Sequence, residues 1–147
     1  MNLLLIQRKG VDLYQTLLSS ETSRDILKFY PPVRMPCGVK MTSATLGSTL
    51  SLVSELRWYI RRYVAVVLFE TSQNKYCSLD LAQEIYERET TVTEPWGYRC
   101  IMGIKDGTLA YTQWAEPKIS SDDGHTSHTS ADFTLEVWCS EREYLER

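Results

Sequence analysis

The chain has 147 residues, 43% of them hydrophobic, with a formal net charge of −3 and a pI near 5.4. That length and apolar share suit one domain able to bury about 68–70% of its unfolded surface, so neither a disulfide nor a metal is needed to hold it together. The acidic balance argues against a protein that coats nucleic acid with its whole surface, and no apolar run reaches the ~18 residues a membrane span requires.

Leu3-Leu4-Leu5-Ile6 opens the chain. It reads as an edge strand or a docking segment. It is too short for a signal-peptide core, and Gln7, Arg8 and Lys9 after it do not suit a cleavage site, so an intracellular chain is expected. Val11, Leu13, Leu17 and Leu18 fit neither strand nor helix periodicity cleanly. Ser23 is a candidate cap for a short helix through Tyr30, which Pro31-Pro32 and Pro36 would end. The expectation is a loosely attached arm over residues 1–36.

The next block carries the clearest pattern. Val39 and Met41 share one face of a short strand. Thr45 or Ser48 can cap a helix in which Leu46, Leu50, Val53, Leu56, Ile60 and Tyr63 form one stripe, predicting a single helix over 46–63. Its far end sets Arg57, Arg61 and Arg62 around Trp58. Cations are favoured at a helix C-terminus by about 0.3–1 kcal/mol each, which explains part of this cluster. The alternative reading is a surface that meets phosphate on lipid or RNA, with Trp58 as its anchor. Val64–Phe69 shows no alternation and reads as a strand covered on both faces.

Ser78 is expected to cap a second helix from Leu79 to about Glu89, after a polar loop over Glu70–Lys75. Thr90–Val92 and Glu94-Pro95 break that helix. Tyr98–Ile104 and Leu109–Trp114 alternate around Lys105-Asp106-Gly107, a hairpin whose Asp-Gly supplies the positive φ angles of the turn. Pro117–Ala131 is a long polar loop holding His125 and His128. Asp132–Cys139 alternates again and exposes Trp138 as a second interface candidate. Residues 141–147 read as a charged tail, a short helix or frayed. The expected fold is α+β: one domain, a mostly antiparallel sheet of about five strands packed with two helices, and a core over 37–140.

Chemistry-bearing motifs are absent. No phosphate-binding glycine loop, zinc-protease helix or nucleophile elbow occurs, so no enzyme and no cofactor is expected. Cys37, Cys77, Cys100 and Cys139 are spread too widely for a C-x-x-C pair and read as reduced, buried thiols. His125 and His128 lack a neighbouring cysteine and read as loop residues rather than zinc ligands.

The order of parts is similar to the matrix proteins of rhabdoviruses. Val39-Lys40-Met41-Thr42, the helix Leu46–Tyr63, the strand Val64–Phe69, then Tyr111-Thr112-Gln113-Trp114-Ala115-Glu116, Asp122-Asp123 and the late strand match that family's sequence of elements over roughly 37–140. The resemblance implies a structural protein that self-associates. It would link the viral ribonucleoprotein to the inner, anionic face of the envelope, in the virion and at host cytoplasmic membranes. Lys40, Arg57, Arg61 and Arg62 would then touch phosphate. The family's Pro-Pro-x-Tyr budding motif is missing, since no tyrosine follows Pro31-Pro32. Tyr14-Gln15-Thr16-Leu17, a Y-x-x-L pattern, is the one late-motif candidate. The rival expectation is a soluble adaptor with no membrane role, using Trp58 and Trp138 against a protein partner.

Overall fold

A computed structural model describes residues 1–72, 75–93, 96–115 and 131–147. The expected arm is corrected first. Strand β1 (Asn2–Gln7) lies inside the sheet, antiparallel to both β3 (Gly38–Thr42) and β4 (Val64–Ser72). Leu3, Leu5 and Ile6 are at most 1% exposed. Four consecutive apolar residues suit a strand buried on both faces, and that is the position β1 takes. Pairing with β3 brings Gly38 so close to Leu5 that a Cβ would overlap its carbonyl oxygen, so glycine is required there.

Two short helices follow where the periodicity was undecided. α1 (Leu13–Ser19) is capped by Asp12, whose carboxylate accepts from the Gln15 N–H at 3.2 Å. α2 (Glu21–Ile26) is capped by Ser20, and Ser23 sits buried within it rather than capping it. A 3₁₀ turn, Leu27–Phe29, leads to Pro31-Pro32 and the three-residue strand β2 (Val33–Met35).

The predicted helix over 46–63 is two helices. α3 (Leu46–Glu55) and α4 (Arg57–Tyr63) meet at Leu56, whose φ of −94° and ψ of 7° leave the helical region. Thr45 and Ser48 cap α3 reciprocally as a capping box. The break turns the inward face. Thr49, Leu52, Val53, Leu56 and Tyr59 are buried, while Leu46, Leu50, Ile60 and Tyr63 are half-buried. Thr49 tolerates burial because its hydroxyl donates to the Thr45 carbonyl at 2.7 Å.

β5 (Lys75–Ser78) pairs with β4, and Ser78 caps α5 (Leu79–Tyr86). β6 (Arg99–Lys105) and β7 (Thr108–Trp114) form the expected hairpin, with φ of 54° at Asp106 and 80° at Gly107. β8 (Phe133–Trp138) then inserts between β5 and β6, parallel to β5. The tail is α6 (Glu141–Leu145), started by a Ser140–Glu143 capping box and docked through buried Tyr144, so it is not frayed.

Among the described residues the fold is thus one α+β domain with eight strands, ordered β2-β3-β1-β4-β5-β8-β6-β7, and six α-helices. It corrects the expectation of about five strands and two helices. One sheet face packs on the helices through Leu3, Leu5, Val39, Met41, Phe69 and Cys77. On the other face the sheet curls upon itself. Leu4, Ile6 and Leu68 meet Ile104 and Val137 there, and Gln7 Nε2 donates to the Gly107 carbonyl at 3.0 Å across the curl.

Candidate anion-docking surface

The break at Leu56 sets the orientation of α4. Leu56 is fully buried, and its carbonyl accepts from both Tyr59 and Ile60 at 2.9 Å. With Tyr59 held inward, the helical repeat turns Arg57, Trp58, Arg61 and Arg62 to the outside together. Trp58 is 51% exposed. The Arg62 guanidinium lies over its ring, 3.9 Å from the centroid, and Tyr59 and Tyr63 meet it edge-on at 4.9 and 6.3 Å. Cation–π attraction thereby holds the Arg62 guanidinium against the indole.

A fourth arginine arrives from a distant part of the sequence. β1 delivers Arg8 to the C-terminal end of α4. Its Nη2 donates to the Arg61 carbonyl at 2.9 Å and its Nε to the Val64 carbonyl at 3.2 Å. Its own N–H donates to the Tyr63 carbonyl at 3.0 Å. The Arg61 and Tyr63 carbonyls belong to the last turn of α4, where a helix offers them no partner, so Arg8 closes the helix end and adds a favourable charge to it. Lys9, next along, is exposed.

Among the described residues the ion pairs join Arg34 to Asp12, Lys40 to Glu70, Arg99 to Glu136 and Arg142 to Asp80. Arg8, Arg57, Arg61 and Arg62 take part in none of them. Beside Trp58 a cleft of about 370 Å³ opens between the α1–α2 junction and α4, lined by Thr16, Ser19, Ser20, Trp58, Tyr59 and Tyr63. Ser20 Oγ and Tyr59 Oη are hydrogen-bonded across its wall at 2.7 Å.

The expected site residues divide. Arg57, Trp58, Arg61 and Arg62 come together on one exposed face. Lys40 does not join them. It lies 3.8 Å from Glu70, whose partner in β1 is Asn2, whereas α4 meets β1 at the Gln7–Arg8 end. Trp138 is half-buried, stacked on Trp96 at 6.5 Å and 14°, and its Nε1 donates to Glu136 at 2.9 Å. It is spent on packing and is no free anchor. Leu17 is 1% exposed in α1, and the Arg34 guanidinium lies 4.6 Å from the Tyr14 ring centroid. The Y-x-x-L pattern therefore belongs to the core rather than to an accessible linear motif. His125 and His128 fall outside the described residues. All four cysteines are free and buried, and among the described residues no group of three or more metal-ligating side chains assembles. Arg8 escaped the sequence reading as a site residue. Its position directly after an apolar strand, with Lys9, was the available signal.

Residues 1–112 match a family described as a family of unknown function (DUF5804). No curated protein and no solved structure matches the chain. Nothing in these comparisons links the chain to rhabdovirus matrix proteins.

Proposed function

We propose that this chain, which belongs to the DUF5804 family, is a non-catalytic docking protein that attaches peripherally to an anionic, phosphate-bearing membrane surface. One observation carries the reading. In a chain of net charge −3, Arg57, Arg61 and Arg62 share an exposed face with half-exposed Trp58, Arg8 joins them at the end of the helix, and among the described residues none of the four takes part in an ion pair. Tryptophan suits the headgroup region because its ring is apolar and its N–H polar. A single-stranded nucleic acid stacks its bases on open aromatic faces, and Arg62 already occupies one face of the Trp58 ring. No helix among the described residues is long and apolar enough to cross a membrane, so the attachment considered is to the surface.

Each basic residue near an anionic leaflet contributes about 1 kcal/mol, so four supply about 4 kcal/mol, roughly millimolar affinity for one copy. Several copies acting together are therefore part of the reading. A matrix-type role in a virion, with self-association and a link to a ribonucleoprotein, is the form this attachment takes if the family resemblance holds.

Vesicle sedimentation tests it. The chain should pellet with phosphatidylserine-containing vesicles at low salt and be released at high salt. Arg61→Glu with Arg62→Glu should lower pelleting about tenfold or more, with the circular dichroism spectrum unchanged because both side chains are exposed. Pelleting that the double variant retains would remove the assignment. Absence of lipid binding with capture of a single protein partner would favour the soluble adaptor.

A further inference from the structure

Two buried thiols face each other where β8 ends against β6. Cys100 sits in β6 opposite Val137, and Cys139 follows the last residue of β8, its N–H donating to the Tyr98 carbonyl at 2.7 Å. Residues 137 and 139 project to one face, so Cys139 is the diagonal cross-strand neighbour of Cys100. Their sulfurs are 3.9 Å apart. Cys100 is 0% and Cys139 2% exposed. Among the described residues theirs is the one sulfur–sulfur contact. Cys77 packs on the helix-covered face, whereas Cys37 shares the inner cluster without touching either sulfur.

We propose that Cys100 and Cys139 form a reversible modification site, a dithiol that a small organic disulfide of the glutathione class converts to an intramolecular disulfide. One protein sulfur, as thiolate, attacks the reagent's S–S bond, forms a mixed disulfide and expels one small thiolate. The second protein sulfur then attacks the protein-bound sulfur and expels the other. The two protons of the protein thiols end on the two small thiols, so two protein sulfurs are oxidised and one reagent disulfide is reduced.

Three features support the site. Cys139, and not Cys100, is among the residues lining an open cavity of about 610 Å³ bordered by Val66, Leu68, Met102, Leu109 and Trp114, so a small reagent comes nearest the pair on that side. The sulfur–sulfur hydrogen bond holds the Cys100 thiol below its usual value, against the burial that raises it, and pushes Cys139 up. Finally, a disulfide requires about 2.05 Å between sulfurs and Cα atoms no further apart than about 6.8 Å, while diagonal neighbours stand about 7–8 Å apart. Closure must therefore draw Cys139 toward β6. A bond formed at that cost belongs to the easily reduced class.

The movement has a built-in reporter. Trp96 Nε1 donates to the Cys139 carbonyl at 2.9 Å, and Trp96 stacks on Trp138. Ser140, the cap of α6, is the next residue.

In the test, the full chain is incubated with oxidised glutathione, remaining thiols are blocked with iodoacetamide under denaturing conditions, and the product is mapped by mass spectrometry. The expected result is a loss of two hydrogens, a Cys100–Cys139 cross-linked peptide, carbamidomethyl groups on Cys37 and Cys77, and a shifted tryptophan emission that dithiothreitol restores. Cys139→Ser should abolish the cross-link and the shift. Four alkylated cysteines after oxidation, a cross-link through Cys37 or Cys77, or mixed disulfides that never resolve would each overturn the proposal. These outcomes are read on the wild-type chain, so they stand even where the variant folds poorly. They are also independent of vesicle binding.

Discussion

Removal of residues 1–7 should unfold the domain. These residues include all of β1, which hydrogen-bonds to β3 on one side and β4 on the other. Leu3, Leu4, Leu5 and Ile6 are between 0% and 3% exposed, with Leu3 and Leu5 on the helix-covered face and Leu4 and Ile6 inside the curl. Full burial of such a side chain contributes about 1.5–3 kcal/mol, so the four contribute about 6–12 kcal/mol. A domain of this size has a total stability of about 5–15 kcal/mol. The deletion also leaves the β2–β3 pair with no partner strand in the sheet. Far-UV circular dichroism and thermal melting of the 8–147 chain are the assays. The expected outcome is loss of a cooperative transition at 25 °C. A truncated chain that melts cooperatively within a few degrees of the full chain would refute the interior placement of β1 and restore the picture of a detachable arm.

Two further outcomes follow from side chains at the other end of the sequence and in β5. Tyr144 is 5% exposed, donates to the Ala115 carbonyl at 2.5 Å and meets the rings of Tyr98 and Trp114. Tyr144→Phe should cost about 1 kcal/mol in urea unfolding and Tyr144→Ala about 3–5 kcal/mol. Equal midpoints for both variants and the parent would mean that α6 is undocked. Burial, and then the charge of Glu143, push the Cys77 thiol up from 9.0 to about 12. The folded state therefore keeps the Cys77 proton that the unfolded state releases. The stabilisation is complete below pH ~9 and is lost as pH rises toward ~12, at most about 4 kcal/mol in all. Urea midpoints followed from pH 8 to 11 should fall more steeply for the parent than for Cys77→Ala. Parallel curves would remove Cys77 as the cause.

What was legible in the sequence was local. Asp106-Gly107 defined the hairpin because its geometry depends on two φ angles that those residues adopt cheaply. Ser78 marked the start of α5 because a cap acts within three residues, through the Leu81 N–H at 3.1 Å. Ser140-x-x-Glu143 is the same kind of signal, and the charged residues around it hid it. What was not legible depended on distant partners. Leu3–Ile6 has one composition whether it lies at an edge or inside a sheet, and only pairing on both sides, with Gly38–Thr42 and with Val64–Ser72, decides between them. The break at Leu56 carries no Gly or Pro, so a stripe at spacings of three and four read as continuous. For the docking surface, Arg57–Arg62 lay within two turns of one helix and was visible. Arg8 joined it through tertiary structure alone.

The two ends of the sheet differ in what they allow a second copy to do. β2 offers three residues between Pro32 and Pro36, and prolines have no N–H to extend a ladder. A strand from another molecule would find too few donors there to hold its register. β7, at the opposite end, is seven residues long and contains no proline. Among the described residues the two termini of the sheet are therefore unlike: prolines flank one against addition of a strand, and the other carries no such block. Copies that assembled edge to edge would meet through β7 rather than through β2.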